Sequence, residues 1–319
     1  MEPLTVLLAS PRGFCAGVER AIHAVEMVRS RAAGPVYVRH EIVHNRRVVE
    51  TLKQADVVFV DDLSEIPDGA VTVLSAHGVG REVYDEADLR RLPLVDATCP
   101  LVRRVHTEVR RHAREGRTVI VIGHADHVEV QGICGQTEGR VLVVESIADV
   151  ARLTLPQPER VAYVTQTTLS VSDTREIIAA LKARFPAIVG PDTKTICYAT
   201  QNRQAALRAV AARAERLVVC GARNSSNTNR LRDLGEAANR PTVLVEEARE
   251  LPRTFVDGIS VLGLTAGAST PETIVQETIA QLAGWRTVAV EEVTVAEERV
   301  TFAPVDLGAL DRLGETVTR

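Results

Sequence analysis

Cys15, Cys99 and Cys197 are spread almost evenly along 319 residues, and each comes where a short apolar run gives way to a helical pattern. A thiol at a helix start lies at the positive end of the helix dipole. That position favours the thiolate, which is the form that binds metal. Three thiolates drawn from separate parts of a chain suit zinc or an iron–sulfur centre with one coordination position left open, and spacing alone does not choose between them. Cys134 and Cys220 read instead as small buried hydrophobes.

Six further places repeat the same change from a Val/Ile/Leu run to a polar loop and then a helix. They are residues 36–45 (VYVRHEIVHN), 71–79 (VTVLSAHGV), 118–129 (TVIVIGHADHVE), 161–170 (VAYVTQTTLS), 217–229 (LVVCGARNSSNTN) and 261–270 (VLGLTAGAST). His44, His77 and His127 stand in corresponding loops, whereas His23, His106 and His112 fall inside helical patterns and read as packed or solvated. One such histidine alone reads as structural; three in equivalent loops point to an anion that imidazoles can meet near neutral pH. Ser225, Ser226 and Asn227 add short donors ahead of a helix-like stretch at 231–238, a ready anion site that could equally be ordinary capping. Ser269 fits a capping box with Glu272 and could cap, bind ligand, or both.

Glu129 follows His127 by two residues, so it enters whatever space the histidine enters, as a carboxyl able to pass a proton to a leaving hydroxyl. Thr167 could orient it by hydrogen bonding. A dinucleotide site has little support, because Gly78-Val79-Gly80 lacks the third glycine and no P-loop occurs. The ligand expected is compact and anionic.

Strands alternating with helices at this spacing imply an α/β fold of βαβ units with small parallel sheets. Nine strand-to-loop junctions, three per third of the chain, suggest three similar α/β domains in a pseudo-threefold arrangement around one cavity, because ligands bind beyond the carboxyl ends of parallel strands. The boundaries expected are 1–96 (joined by a C-terminal segment, 284–319), 97–193 and 194–283. Hydrophobic residues make up 45% of the chain and the formal net charge is −4, so neither nucleic acid nor an anionic membrane surface is an expected partner. With no basic leader and no long apolar run, a cytoplasmic protein is expected. In that reducing compartment five cysteines favour metal or redox chemistry over disulfides.

The runs PRGFCAGVERA, EIVHN, SAHGV, DATCP, TQTTLS, ICYATQNRQ, NSSNTNR and TAGAS, in this order, resemble the 4-hydroxy-3-methylbut-2-enyl diphosphate reductases, the last enzymes of the non-mevalonate isoprenoid pathway. The resemblance covers nearly the whole chain. It implies a two-electron reductive dehydroxylation yielding isopentenyl and dimethylallyl diphosphates, with a ferredoxin or flavodoxin as electron donor. It also implies a 4Fe-4S cluster held by Cys15, Cys99 and Cys197, with one iron lacking a cysteine. By the same resemblance, His44, His77, His127, Ser225, Ser226, Asn227 and Ser269 hold the diphosphate, Glu129 delivers a proton, and Thr167 lies beside the substrate hydroxyl.

One loop departs from the family pattern. Val128 stands where a proline is usual and Gln131 where a second glutamate is usual, which leaves the backbone around Glu129 less fixed by covalent geometry. The alternatives are a three-thiolate zinc hydrolase of a phosphorylated metabolite, or a non-enzymatic iron–sulfur sensor.

Overall fold

The computed structural model describes residues 2–193 and 195–310. In chain order its strands are β1 (Pro3–Ser10), β2 (Val36–Arg39), β3 (Val57–Val60), β4 (Thr72–Leu74), β5 (Leu94–Asp96), β6 (Thr118–Ile122), β7 (Val141–Val144), β8 (Val161–Thr165), β9 (Arg216–Cys220), β10 (Thr242–Val245), β11 (Val261–Ala266) and β12 (Thr287–Thr294). Its α-helices are α1 (Ala16–Arg31), α2 (Arg46–Gln54), α3 (Arg81–Leu89), α4 (Pro100–Arg114), α5 (Val128–Cys134), α6 (Ile147–Arg152), α7 (Val171–Arg184), α8 (Tyr198–Ala211), α9 (Ser226–Ala237) and α10 (Glu272–Trp285). The fold is α/β with three small parallel sheets, distributed over two compact units.

The first unit comprises residues 1–16, 44–48 and 198–301. It carries one five-stranded sheet in the order β10-β9-β11-β1-β12. Leu4, Val6, Leu7, Leu8 and Ala9 of β1 are all buried, so the strand buries both faces, as parallel strands between helical layers must. Val6 and Leu8 pack with Ile274, Val275 and Leu282 of α10, while Leu7 and Ala9 pack with Ala206, Leu207 and Val210 of α8. Edge strand β12 is mostly exposed, and its Glu291 and Glu292 pair with Arg213 and Arg12, charges that discourage further strand addition.

The second unit comprises residues 17–43, 49–197 and 302–319 and holds two sheets, ordered β3-β2-β4-β5 and β7-β6-β8. Val102, Val105 and Val109 form the buried stripe of α4 expected from their spacing. On α1 the buried face is Gly17, Ala21, Ala24, Val25 and Val28, so Val18 and Ile22 border the stripe instead of forming it.

Strand pairing cuts across the expected first domain: β1 lies between β11 and β12, not with β2 to β5. Its apolar run is long enough to take a partner on both sides, and β12 supplies the second from the segment after Gly284. The short strands β3, β7 and β10 extend the sheets at edges where no site residue follows them. Of the nine expected junctions, eight follow strands; the segment before Cys197 forms turns, so that cysteine is held by a loop and by the start of α8.

Arg286, just after α10, is 9% exposed and clamps the first unit through four carbonyls. It donates to Glu2, Pro3, Val256 and Ile259 at 2.7–3.0 Å, joining the start of β1 to the segment ahead of β11. Arg286→Met keeps the apolar stem but strands these acceptors, and a loss of at least about 2 kcal/mol is expected in denaturant unfolding, with the melting temperature lowered. An unchanged unfolding midpoint would show that the clamp adds nothing.

Candidate functional site

Burial and hydrogen bonding define the second unit's group around Glu129. This glutamate is 2% exposed, in the first turn of α5, and both carboxylate oxygens accept hydrogen bonds from Thr167: Oε1 from the backbone N–H at 2.7 Å and Oε2 from the hydroxyl at 3.0 Å. Burial pushes its pKa from 4.5 up to about 7, against the opposing pull of the two Thr167 donors. His127 caps α5, its Nδ1 accepting from the Glu129 N–H at 3.1 Å, which leaves the proton of a neutral ring on Nε2. The cap also answers the missing proline, since Val128 occupies the first helical position and His127 fixes the entry that proline would have fixed.

Backbone ties bring the other loops of this unit to Glu129. A Cβ on Gly132 would lie 2.9 Å from the Gly78 carbonyl, so only glycine lets α5 approach the loop after β4 this closely. Gln136 locks that contact by donating to the Val79 carbonyl at 2.7 Å and to the Gly132 carbonyl at 2.9 Å. The rings of His77 and His127 consequently meet edge to face with centroids 5.9 Å apart. Cys99 donates its N–H to the Ala76 carbonyl, and Cys197 its N–H to the Thr167 carbonyl, both at 3.0 Å. Main-chain hydrogen bonds, the Gly132–Gly78 approach and the His77–His127 ring contact thereby gather the loops of His77, Cys99, His127, Glu129, Thr167 and Cys197.

The first unit holds a second group. The Cys15 N–H donates to the Ala268 carbonyl at 3.2 Å, and the Ala268 N–H donates to Asn227 Oδ1 at 2.8 Å. Ser225 caps α9, its hydroxyl accepting from the Thr228 N–H, and Ser226 is the first residue of the helix. The helix thus begins five residues before the expected 231, so the donor-rich run forms its first turn. Ser269 donates its hydroxyl to the His44 carbonyl at 2.8 Å. The capping box expected with Glu272 does not form: Pro271 stands at the cap of α10 without a side-chain bond, and Glu272 pairs with Arg12.

Asn227 Nδ2 is buried and, among the described residues, meets no acceptor. A desolvated N–H in that condition is costly unless an acceptor arrives, which fits an anion at the α9 N-terminus.

Cys15, Cys99 and Cys197 are half-buried and in no disulfide, each within one residue of a helix start. The other two thiols are pushed up by burial, Cys220 to about 12 and Cys134 in the same direction, which suits apolar packing. Among the described residues no group of three or more His, Cys, Asp or Glu is arranged for a single metal ion.

Two arginines complete the loops. Arg203 is fully buried and donates to the Gly13 and Phe14 carbonyls, fixing the chain directly before Cys15, while its remaining N–H meets Ala199 and Glu298. Arg20 donates to the Thr98 carbonyl next to Cys99, and burial, with the like charge of Arg103 behind it, holds its guanidinium pKa down. Both lie inside runs that already stood out, ICYATQNRQ and PRGFCAGVERA, but a lone arginine in a helical pattern carries no mark of whether it is buried.

Residues 6–283 match the family model described as LytB protein. A 4-hydroxy-3-methylbut-2-enyl diphosphate reductase of Zymomonas mobilis subsp. mobilis is 52% identical over 299 residues, covering 94% of this chain and 88% of that protein. One of the same name from Methylococcus capsulatus is 48% identical over 312 residues, 97% of this chain and the whole of that protein. The solved E-1-hydroxy-2-methyl-but-2-enyl-4-diphosphate reductase of Plasmodium falciparum superposes with a TM-score of 0.92 at 35% identity, over 99% of this chain and 100% of that one.

The raised Glu129 pKa fixes the sign of a stability effect. Below pH 4.5 the carboxyl is protonated in folded and unfolded chains alike; between 4.5 and about 7 only the unfolded chain ionises, so stability falls as pH rises and levels off above 7. Glu129→Gln should abolish this fall, gaining about 3 kcal/mol on the parent between the two ends of that window in urea titrations. Parallel pH–stability curves for the two proteins would contradict the assignment.

Proposed function

We infer that this chain, which belongs to the LytB protein family, reduces 4-hydroxy-3-methylbut-2-enyl diphosphate to isopentenyl and dimethylallyl diphosphates. Two electrons and two protons enter, and the hydroxyl leaves as water. The observation that carries the residue assignment is a glutamate 2% exposed and, among the described residues, without a cationic partner, whose burial pushes its pKa up to about 7. A carboxylic acid of that pKa is matched to giving up a proton near pH 7.

Cys15, Cys99 and Cys197 would hold the 4Fe-4S cluster; their places ahead of helices support this, whereas Cys134, equally half-buried, ends α5 and Cys220 is fully buried at the end of β9. When bound, such a cluster supplies the electrons and an iron with an open position for the substrate oxygen. Thr167 orients the Glu129 carboxyl through two hydrogen bonds, so the proton is offered along one direction. His77 and His127 would offer ring N–H groups to the diphosphate, and His44, Ser225, Ser226, Asn227 and Ser269 would add further donors. For Asn227 the unmet Nδ2 supports that role. The electron donor is a separate protein, and turnover takes place in the cytoplasm.

The test is turnover of anaerobically purified protein on the hydroxylated allylic diphosphate, with iron and sulfide measured alongside. Glu129→Gln should retain full iron and lose at least about a hundredfold in kcat. In the parent, kcat should decline as pH rises through about 7, where the donor form of Glu129 disappears. Turnover of the variant near the parent rate would remove Glu129 as proton donor.

A further inference from the structure

The reduction proposed above needs electrons from outside, delivered close to the thiolates because electron transfer weakens steeply with distance. One surface of the second unit is built for that neighbourhood. A cleft of about 270 Å³ is lined by Arg20, Pro100, Arg103, Arg104 and Thr107, and Pro100 is the residue after Cys99. On a chain whose net charge is −4, this is a local concentration of positive charge.

The charge is only partly offset in place: Asp96 and the Cys99 thiol act on Arg20 against the like charge of Arg103. Arg20 donates to two carbonyls, those of Thr98 and Ala303, which fix the guanidinium without neutralising it. Among the described residues no carboxylate pairs with Arg20 or Arg104. Arg103 has Asp96, which Tyr84 also engages. Further along α4, Arg110 feels Arg81, Arg114 and Arg103, and after burial these like charges hold its pKa down; Arg103 acts on Arg20 in the same sense. Repulsion of this kind destabilises the free surface and is relieved when an anionic surface covers it.

We propose that the arginine-lined cleft at the start of α4, formed by Arg20, Arg103 and Arg104, docks an acidic single-electron-carrier protein. Two successive dockings deliver one electron each, leaving two oxidised carriers per substrate reduced. An extended acidic polypeptide surface fits better than a small anion, because the arginines run along an exposed helix face and do not close around one point. Single-stranded nucleic acid fits less well, since no aromatic side chain lines the cleft for base stacking. The proposal rests on the reductase function inferred above.

The test uses the cluster-loaded protein, an acidic ferredoxin as probe, and the double variant Arg103→Glu/Arg104→Glu beside Arg104→Glu alone. Ferredoxin binding by calorimetry should weaken about tenfold or more in the double variant, and its salt dependence should flatten. Turnover driven by reduced methyl viologen, a small molecule that needs no docking surface, should stay at the parent value with full iron content. Binding that is unchanged in both variants, or viologen-driven turnover that falls in step with ferredoxin-driven turnover, would overturn the proposal. So would preferential binding of an oligonucleotide over ferredoxin by the parent. If the parent shows no viologen-driven reduction, the reductase function fails, while the calorimetry still decides whether the cleft binds an acidic protein.

Discussion

A carboxyl group that is shut away from water and offered two hydrogen bonds by a single threonine is the constraint on which the proposed chemistry depends. Desolvation alone would drive Glu129 far towards the neutral acid, and hydrogen bonds alone would keep it ionised. Thr167 supplies enough of the second to leave the balance near neutrality. Such a balance survives only if the loops carrying both residues are held still. The cap by His127, the glycine contact at Gly132 and the tie from Cys197 to the Thr167 carbonyl all serve that purpose.

Parallel sheets make this economy possible. Each strand ends where a helix begins, so the loop between them offers backbone donors, a dipole and a side chain at the same spot. In the second unit the loops after β4, β5, β6 and β8 are bound to one another by main-chain hydrogen bonds or close glycine contacts. In the first, the loops after β1 and β11 and the start of α9 are joined through Ala268 and Asn227. The side chains that carry charge or protons are therefore placed by the backbone, and few of them depend on one another for position.

Much of this was legible in the residues, because an apolar run ending in a polar loop is a local signal. The α/β class, the loops of His77, His127, Glu129 and Thr167, and the separate character of Cys220 followed from such runs. Pairing between distant strands leaves no local trace: β1 reads the same whether it joins β2 or β11, and only the whole fold decides. The turn before Cys197 mimicked a strand end because the motif around the cysteine resembles the other two. Ser269 matched a capping box that Pro271 preempts by occupying the cap position itself. Arg203 and Arg20 were invisible for another reason, since a guanidinium binding carbonyls has the same sequence signature as one in water.

The most direct measurement is the titration of the Glu129 carboxyl itself, by carbon-13 NMR of protein labelled at glutamate side-chain carboxyls, with Glu129→Gln assigning the signal. A midpoint near pH 7 is the expected result. A midpoint near 4.5 would mean that the carboxyl is solvated or ion-paired, and the proton donor would have to be sought elsewhere.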